Sequence, residues 1–371
     1  MDQTRNFFVS LACVLVGFGV LMVQSASITS WPTEFERIYV SRHVIFLMIG
    51  ITAAIVCSRL PSEFWLRIAP YLFVVCVTLL AAVLVPGVGT RVNGAQRWLR
   101  FGGLSLQPSE LAKIVLPLLI ARSLSRRRDR VFRWFTGTVP IIWPIFVIAP
   151  LVLIQPDLGT ALFLLVGSAI ALFIGGWPIR YFVLGAASGI PAIWYLVAMK
   201  PYQMKRISGF LAAWSDFDQA PYQLKQSLVT LGSGGLFGVG LGRGWQKLSF
   251  LPEANTDFVF SVVGEELGLL GTVALIVLWI ALYLVGLRLL RHHDPRSFEF
   301  IAGVTLLTQL VLQAALNVAV VTAMVPPKGI PHPLISYGGS NLVISLVSLG
   351  IVVSLSRGSS IDNNAQPVST G

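Results

Sequence analysis

Long runs of apolar residues alternate with short polar segments along most of the chain. A helix needs about 20 residues to cross the hydrocarbon core of a bilayer, which is about 30 Å thick. Apolar runs near this length occupy residues 7–27, 41–59, 66–86, 108–124, 137–155, 158–176, 180–199, 258–288, 298–322 and 338–356. We therefore predict an all-α polytopic membrane protein with ten transmembrane helices.

The connections between these runs predict the orientation of the protein. Short segments that contain arginine lie at 59–66, 125–136, 177–180 and 288–297, and the positive-inside rule places them in the cytoplasm. Both termini are then cytoplasmic as well. The opposite face carries the longer connections, among them a large extracytoplasmic loop over residues 200–257, between helices 7 and 8.

The chain has no fixed-period repeat and no soluble-domain pattern, so we expect a single membrane domain over residues 1–357. Its first apolar run follows Arg5 and has the layout of a secretory signal. We expect a retained helix instead, because the run is long for a signal and further spans follow at once. Residues 358–371 are small and polar, and we expect them to be a disordered cytoplasmic tail.

Composition excludes a soluble fold. Hydrophobic residues make up 55% of the 371 positions and charged residues 12%, and the mean hydropathy is +0.78, whereas soluble domains carry about 25% charged residues. The net charge of +11 comes from 27 Lys and Arg spread over the loops, without the dense basic stripe that binds nucleic acid. This pattern favours anionic lipid head groups or an anionic lipid-linked substrate as partners.

The most informative segment covers residues 250–268, where Asp257, Glu265 and Glu266 enter an apolar stretch. A charge near the middle of a membrane helix costs roughly 2.5 to 3.5 kcal/mol on insertion scales, so such residues usually face a protein interior or a watery cavity. Asn255 and Thr256 are good N-cap residues, so we expect Asp257 in the first helical turn. Ser261, Gly264 and Glu265 would then share its helical face.

Several roles remain open for Asp257. An acidic residue in a first turn is often only helix-stabilising, because the helix N-terminus favours negative charge. As a general base it would need desolvation or a neighbouring carboxylate to raise its pKa. It is equally a candidate ligand for a divalent cation such as Mg or Mn, with Glu253 as a second oxygen ligand or as a solvated loop residue. We expect Glu265 and Glu266 to be structural or gating groups.

Further candidates lie in three other segments. Residues 91–113 place Arg97 beside Trp98, and Glu110 can pair with Lys113 at the i,i+3 spacing. Asp157 lies between two spans, as an N-cap or as a site residue. Four prolines in residues 326–340 exclude a helix there and predict a loop that lines a cavity or is buried in protein. Our candidate substrate-binding residues are Arg97, Gln107, Lys205, Arg206, Lys247, Lys328, Ser336 and Ser340.

The glycines at 238, 240, 242 and 244 do not follow a strand, so they do not predict a dinucleotide site. We expect no organic cofactor.

Five motifs in order resemble the SEDS family of shape, elongation, division and sporulation proteins over nearly all of residues 7–357. They are Leu251–Phe260 with Gly264–Gly268, Gly94–Trp98, Gln107–Glu110, Gln155–Thr160 and Ile335–Ser340. Asn255 stands where the family commonly has His. Two further segments, Gln246–Leu248 before Leu251 and Pro327–Gly329 before Ile335, resemble the FtsW division type more than the RodA elongation type.

The resemblance implies a ten-helix peptidoglycan glycosyltransferase that polymerises lipid II into glycan strands at the outer face of a bacterial cytoplasmic membrane. It also implies that Asp257 corresponds to the essential aspartate of the family. It also implies a class B penicillin-binding transpeptidase as partner, together with other membrane proteins of the division or elongation machinery. No nucleic acid is expected as a partner.

Two alternatives remain. A transporter that flips the lipid-linked precursor would use Asp157, Glu265 and Glu266 as an intramembrane relay. A scaffold for division proteins would tolerate substitution of Asp257.

Overall fold

The computed structural model describes residues 2–27, 34–92, 95–101, 104–199, 201–248, 251 and 253–357. Helices form most of this part of the chain. They are α1 Asp2–Ala26, α2 Glu34–Arg59, α3 Ser62–Leu84, α4 Pro108–Arg126, α5 Val139–Ile154, α6 Leu158–Ile174, α7 Ile179–Ala198, α8 Pro201–Ser215, α9 Tyr222–Ser233, α10 Val259–Leu290, α11 Phe298–Val321 and α12 Gly339–Leu355. The predicted tail, residues 358–371, lies outside the described residues.

The apolar pattern predicted the long helices well, because each predicted run coincides with a helix in the part of the chain described here. Within the described residues, six segments are long and apolar enough to cross a membrane: Asp2–Ala26, Ser41–Arg59, Ser62–Leu84, Trp134–Ile154, Val259–Leu290 and Phe298–Val321. The shorter apolar helices are α6 and α12. Two more helices fall in the stretch predicted as one large loop, and these are α8 and α9.

Three short strands were not predicted. They form an antiparallel sheet in the order β1 Gly89–Val92, β2 Ala95–Phe101 and β3 Leu104–Leu106. The sheet lies next to α3, α4 and α12. The Ser340 hydroxyl of α12 donates to the Ser105 carbonyl over 2.9 Å and accepts from the Gln107 amide over 3.0 Å. The sheet is therefore fixed over the start of α4.

Helix α4 lies at the centre of the bundle, where α3, α5, α6 and α11 pack around it. Its middle turns, residues 114–121, are apolar and buried on every side, among them Leu116, Leu118 and Ile120, as expected for a helix in the core of a bundle. Pro108 occupies its first turn, where a missing N–H does no harm. On one flank of the bundle, α12 packs along α2.

Helix α10 is broken at Gly268, whose φ of 67° and ψ of −163° are not helical. Residues 234–247, here called the glycine loop, lie against the break. Backbone N–H groups of Val239 and Gly240 donate to the carbonyls of Glu265 and Glu266, each over 3.0 Å. A broken membrane helix leaves backbone groups without partners, and the glycine loop supplies partners for them.

Close approach explains why this loop is rich in glycine. A Cβ at Gly234 would lie 1.9 Å from the Gly264 carbonyl oxygen, and one at Gly238 would lie 2.2 Å from that of Glu266. Gly238 and Gly268 also have positive φ values, which residues with a Cβ rarely adopt. The glycine spacing therefore reflects backbone packing.

The predicted run from residue 258 matches α10, but the predicted N-cap and the expected place of Asp257 in the first turn are wrong. Neither Asn255 nor Thr256 caps the helix; Phe258 is the N-cap residue and offers no side-chain cap. Glu253 adopts a positive φ of 56°, and its carbonyl accepts from the N–H groups of Thr256 and Phe258 over 3.1 and 3.2 Å. Residues 253–258, here called the Asp257 turn, thus form a separate turn. Asp257 precedes the helix and does not share a helical face with Ser261, Gly264 and Glu265.

Candidate functional site

The Asp257 turn is held against a second non-helical stretch, residues 326–333, which we call the proline segment. The Asn317 side chain of α11 donates to the carbonyls of Asp257 and Ile330, each over 2.7 Å. Gly329 lies beside the Asp257 carboxylate, since a Cβ there would be 2.5 Å from the Asp257 Oδ2. One amide side chain therefore fixes the two segments that surround the carboxylate.

The surroundings of Asp257 favour a protonated carboxyl more than water does. Its pKa is raised to about 6, chiefly by burial and also by the charge of Glu253, while Arg206 acts in the opposite direction. A carboxylate with a pKa near neutrality suits a general base.

Two of the predicted cations lie on α8, and the structure separates them. Arg206 contacts the proline segment by donating to the Pro327 carbonyl over 3.4 Å, and its charge acts on Asp257. Lys205, its neighbour in sequence, is exposed. Arg206 is thus the cation that shares the surroundings of Asp257.

A second polar cluster lies on the other side of the proline segment. Lys328 extends over Gly159 at the start of α6, since a Cβ at Gly159 would be 1.3 Å from the Lys328 Nζ. Burial lowers the pKa of Lys328 to about 8, and the charge of Asp157 opposes that shift. Because Lys328 and Gly329 are adjacent, the proline segment connects this cluster to Asp257.

Asp157 caps α6 and collects several donors. Its carboxylate accepts from the Thr160 amide over 3.1 Å and from the Thr160 hydroxyl over 2.8 Å. Gln107 donates to it over 3.4 Å, and an Arg97 guanidinium nitrogen lies 3.7 Å away. Arg97 also donates to the carbonyls of Gln155 and Pro156. The structure thus brings together three predicted residues, Arg97, Gln107 and Lys328, around Asp157.

The predicted pairing of Glu110 with Lys113 is confirmed, at 2.7 Å. Lys113 also donates to Gln313 over 2.9 Å, and Asn341 donates to Glu110 over 3.0 Å. Gln313 in turn donates to the Pro331 carbonyl over 2.8 Å. This network of hydrogen bonds connects α4, α11 and α12 to the proline segment and holds the segment in place.

Three predicted substrate-binding residues have other contacts. Lys247 is fully buried and lies 2.6 Å from the Glu266 carboxylate, so we no longer count it among the cations that face a substrate. The Ser336 hydroxyl accepts from the His332 amide over 2.7 Å and is buried. Ser340 bonds the backbone of residues 105 and 107. Lys247 and Ser340 contact residues that are distant in sequence, whereas Ser336 contacts a residue four positions away. The sequence alone does not predict these pairings.

Glu265 and Glu266 hold the glycine loop to α10. Glu265 accepts from the Trp245 and Gln246 amides over 2.8 and 3.2 Å. Glu266 accepts from Lys247, from the Gly242 amide over 3.1 Å and from the Ser25 hydroxyl at the end of α1. Lys247 and Glu266 therefore close a loop of chain that contains the Asp257 turn.

Sequence reasoning missed the amides of α11. Gln309, Gln313 and Asn317 recur every four residues on one face of an apolar helix, and all three are buried. Buried polar groups in such a helix need partners, so this spacing was a usable signal for a polar interior.

Two carboxylates of the Asp257 turn, Asp257 and Glu253, are the acidic groups near the candidate centre. Among the described residues, no group of three or more His, Cys, Asp or Glu side chains converges as a metal cage would require. Mg²⁺ usually binds to one or two carboxylates and completes its shell with water and substrate phosphates. The residues present fit that mode and not an all-protein cage.

Comparisons with known proteins identify the relatives of this chain. The family model FTSW_RODA_SPOVE, described as cell cycle protein, matches residues 5–361. A probable peptidoglycan glycosyltransferase FtsW of Geobacter sp. (strain M18) is 39% identical over 93% of this chain and 95% of its own length. A homologue of the same description from Coxiella burnetii (strain RSA 493 / Nine Mile phase I) is 37% identical over 91% of this chain and 92% of its own.

Solved structures share the fold. The rod shape determining protein RodA of Thermus thermophilus matches with a TM-score of 0.70 at 29% identity, over 94% of this chain and 95% of that chain. A chain from a structure described as the structural coordination of polymerization and crosslinking by a peptidoglycan synthase complex matches with a TM-score of 0.76 at 29% identity, over 94% of this chain and 96% of that chain.

Proposed function

This chain belongs to the FtsW, RodA and SpoVE family of cell cycle proteins, and from that premise we propose that it polymerises lipid II into peptidoglycan glycan strands with Asp257 as its central acidic residue. It is an integral membrane protein and a peptidoglycan glycosyltransferase of the SEDS type. The observation that supports Asp257 is its position: a carboxylate with a raised pKa in a turn between Gly329 and Arg206.

The proposed reaction is a displacement at the anomeric carbon of the donor sugar. Asp257 accepts the proton of the acceptor's sugar hydroxyl, and the oxygen forms a new bond to the anomeric carbon. The bond from that carbon to the lipid pyrophosphate breaks, and the pyrophosphate leaves with the electron pair. The proton then passes from Asp257 to water, which restores the base.

The departing pyrophosphate needs positive charge. Arg206 lies near Asp257, Lys328 belongs to the proline segment, and Arg97 lies beside Asp157. Fixed cations placed where negative charge develops stabilise a transition state more than they stabilise the ground state. In the alternative role, Asp257 and Glu253 would hold a divalent cation, which would supply positive charge to the phosphates. That role replaces the base role, because a carboxylate bound to a cation does not accept a proton.

We propose that ten helices cross the cytoplasmic membrane with both termini inside, and that the Asp257 turn lies at the outer face. The positive-inside pattern supports this orientation. We also propose a class B penicillin-binding transpeptidase as partner, because one structural relative is described as part of a complex for polymerization and crosslinking. The FtsW description shared by the curated relatives supports a role in division.

The transporter alternative requires mobile protons on Asp157, Glu265 and Glu266. Glu266 is fully buried in an ion pair with Lys247, and Asp157 caps a helix. These contacts favour fixed structural roles over a proton relay.

The test is polymerisation of purified lipid II by the full-length protein, with and without a cognate transpeptidase and a divalent metal. We expect long glycan strands from the parent protein and none above background from Asp257→Ala. Native-rate polymerisation by Asp257→Ala would overturn the assignment. Movement of lipid II across vesicles without polymer would favour the transporter.

A further inference from the structure

A cavity unrelated to the Asp257 turn lies at the far end of α4. It has a volume of about 400 Å³ and its lining includes Arg122, Arg126, Arg127, Arg130, Ser123 and Trp143. Four guanidinium groups thus surround one cavity, which we call the arginine pocket. None of the six ion pairs among the described residues involves any of these four arginines.

The wall of the arginine pocket is fixed by the backbone of α3. Arg122 donates to the carbonyls of Leu66 and Arg67, so its guanidinium is held at the junction of α3 and α4. The adjacent Arg128 is engaged elsewhere, at 2.7 Å from Asp294. Asp129, in the same segment, forms none of the ion pairs found among the described residues. Four arginines against this one carboxylate leave the pocket with an excess of positive charge.

The position of the arginine pocket indicates which anion it meets. Helix α4 has 19 residues, which span about 28 Å at 1.5 Å per residue, close to the thickness of a hydrocarbon core. Its first turn contacts the Asp157 cluster through Gln107. The pocket at its other end therefore lies at the head-group level of the opposite leaflet.

Exposed aromatic side chains flank the arginine pocket. Phe132 is 65% exposed, Trp134 46%, Phe135 81% and Trp143 44%. Aromatic residues concentrate at the interface between head groups and acyl chains. A soluble anion would make no apolar contact with these rings. A phospholipid presents its phosphate to the arginines and its acyl chains to the aromatic rings.

We propose that the arginine pocket binds the phosphate of an anionic phospholipid from the leaflet opposite to the Asp257 turn. Guanidinium groups suit phosphate because they donate paired hydrogen bonds in one plane. Basic pockets between membrane helices are a recurrent way to hold lipid head groups. The bound lipid offsets the repulsion between the arginines and fixes the turn that joins α4 to α5.

The experiment measures lipid retention by the full-length protein with native mass spectrometry. Phosphatidylglycerol is the anionic probe, phosphatidylcholine the zwitterionic one and inorganic pyrophosphate the soluble one. The pocket variant is Arg126→Gln/Arg127→Gln/Arg130→Gln. The matched control, Arg59→Gln/Arg180→Gln/Arg291→Gln, removes the same charge from exposed arginines at the same end of the bundle.

Each cation near an anionic surface strengthens binding about fivefold. We expect the pocket variant to bind phosphatidylglycerol about 100-fold more weakly and the control to change much less. The single substitution Arg130→Gln, at an exposed position, should weaken binding about fivefold and remains informative if the triple variant does not fold.

Equal phosphatidylglycerol binding by the parent protein, the pocket variant and the control would overturn the proposal. So would equal losses in the two triple variants, because they would indicate only the net charge. Binding of pyrophosphate without a preference for phosphatidylglycerol over phosphatidylcholine would overturn the lipid as the source of the phosphate.

Discussion

Asp257 and Glu266 lie nine residues apart, and their surroundings differ in almost every respect. Glu266 is fully buried and accepts from Lys247, Ser25 and the Gly242 amide. Asp257 lies in a turn beside Gly329, and its pKa is raised to about 6, chiefly by burial. A carboxylate whose acceptor positions are filled by fixed donors is a structural group. One with a pKa raised toward neutrality is suited to proton transfer with a substrate.

The largest effect should come from removing the Asp257 carboxylate. Positioned general bases contribute about 10² to 10⁴-fold to rate, so Asp257→Asn should slow lipid II polymerisation by about 10³-fold or more. Glu253→Gln is the control for the base role, because Glu253 is exposed and in that role affects the reaction through the pKa of Asp257. Its loss should be about tenfold or less. Equal losses in the two variants would remove the distinction between them.

Glu266, whose acceptor positions are filled by fixed donors, should matter for the stability of the fold. Glu266→Gln leaves the Lys247 charge buried without a counter-ion, which costs about 3 to 5 kcal/mol. The double variant Lys247→Met/Glu266→Leu should recover most of this loss, because it leaves no buried charge. Arg128→Gln breaks a half-exposed pair and should change the free energy of unfolding by about 0.5 kcal/mol or less. Thermal unfolding in detergent measures all three.

The same comparison predicts an opposite effect on stability at Asp257. A pKa of about 6 in the folded protein means that the ionised form is disfavoured above that pH. Asp257→Asn should therefore stabilise the protein at pH 7.5 by up to about 2 kcal/mol. The gain should shrink as pH falls through 6 and vanish near the ordinary carboxyl pKa of about 4.

Asp218 is the control for this pH dependence. The hydrogen bond from Lys225 lowers the pKa of Asp218, so its contribution has the opposite sign and is lost only as pH falls through that lowered value. Asp218→Asn should therefore give no gain in melting temperature at pH 7.5. A gain equal to that of Asp257→Asn would contradict the assigned environments.

The smallest effect on the polymerisation rate should come from Gly329, which lies beside the Asp257 carboxylate in space. A methyl group at Gly329 would lie 2.5 Å from the Asp257 Oδ2, so Gly329→Ala should displace the carboxylate and slow polymerisation about tenfold. Gly17→Ala is the control, since a Cβ there meets nothing within 4 Å. A loss of rate in the control equal to that of Gly329→Ala would contradict the steric explanation.

The sequence predicted the elements that depend on long apolar patterns, such as α4 and α11, because burial in lipid or protein requires those patterns. It did not predict the N-cap of α10. The capping preference of Asn255 and Thr256 is worth about 1 kcal/mol, and the turn closed by the Glu253 carbonyl determined the outcome. The local pattern of β1 to β3 was too short to predict strands.

The candidate site was predictable in part. Asp257 followed from its place in an apolar segment and from the family resemblance. Lys247 was assigned to the substrate because it lies in a polar stretch, and its partners Ser25 and Glu266 are 222 and 19 residues away. Such contacts depend on tertiary packing. The amides Gln313 and Asn317 were visible as polar residues in an apolar helix, and their partners were not.

The pH dependence of kcat/KM for lipid II polymerisation tests the role of Asp257 most directly. The carboxylate must be ionised to accept a proton, so the rate should fall as pH drops below about 6. Glu266→Gln, assayed below its unfolding temperature, should keep this profile, and Asp257→Asn should lose both the rate and the transition. Native-rate polymerisation by Asp257→Asn, with the same transition near pH 6, would contradict the account.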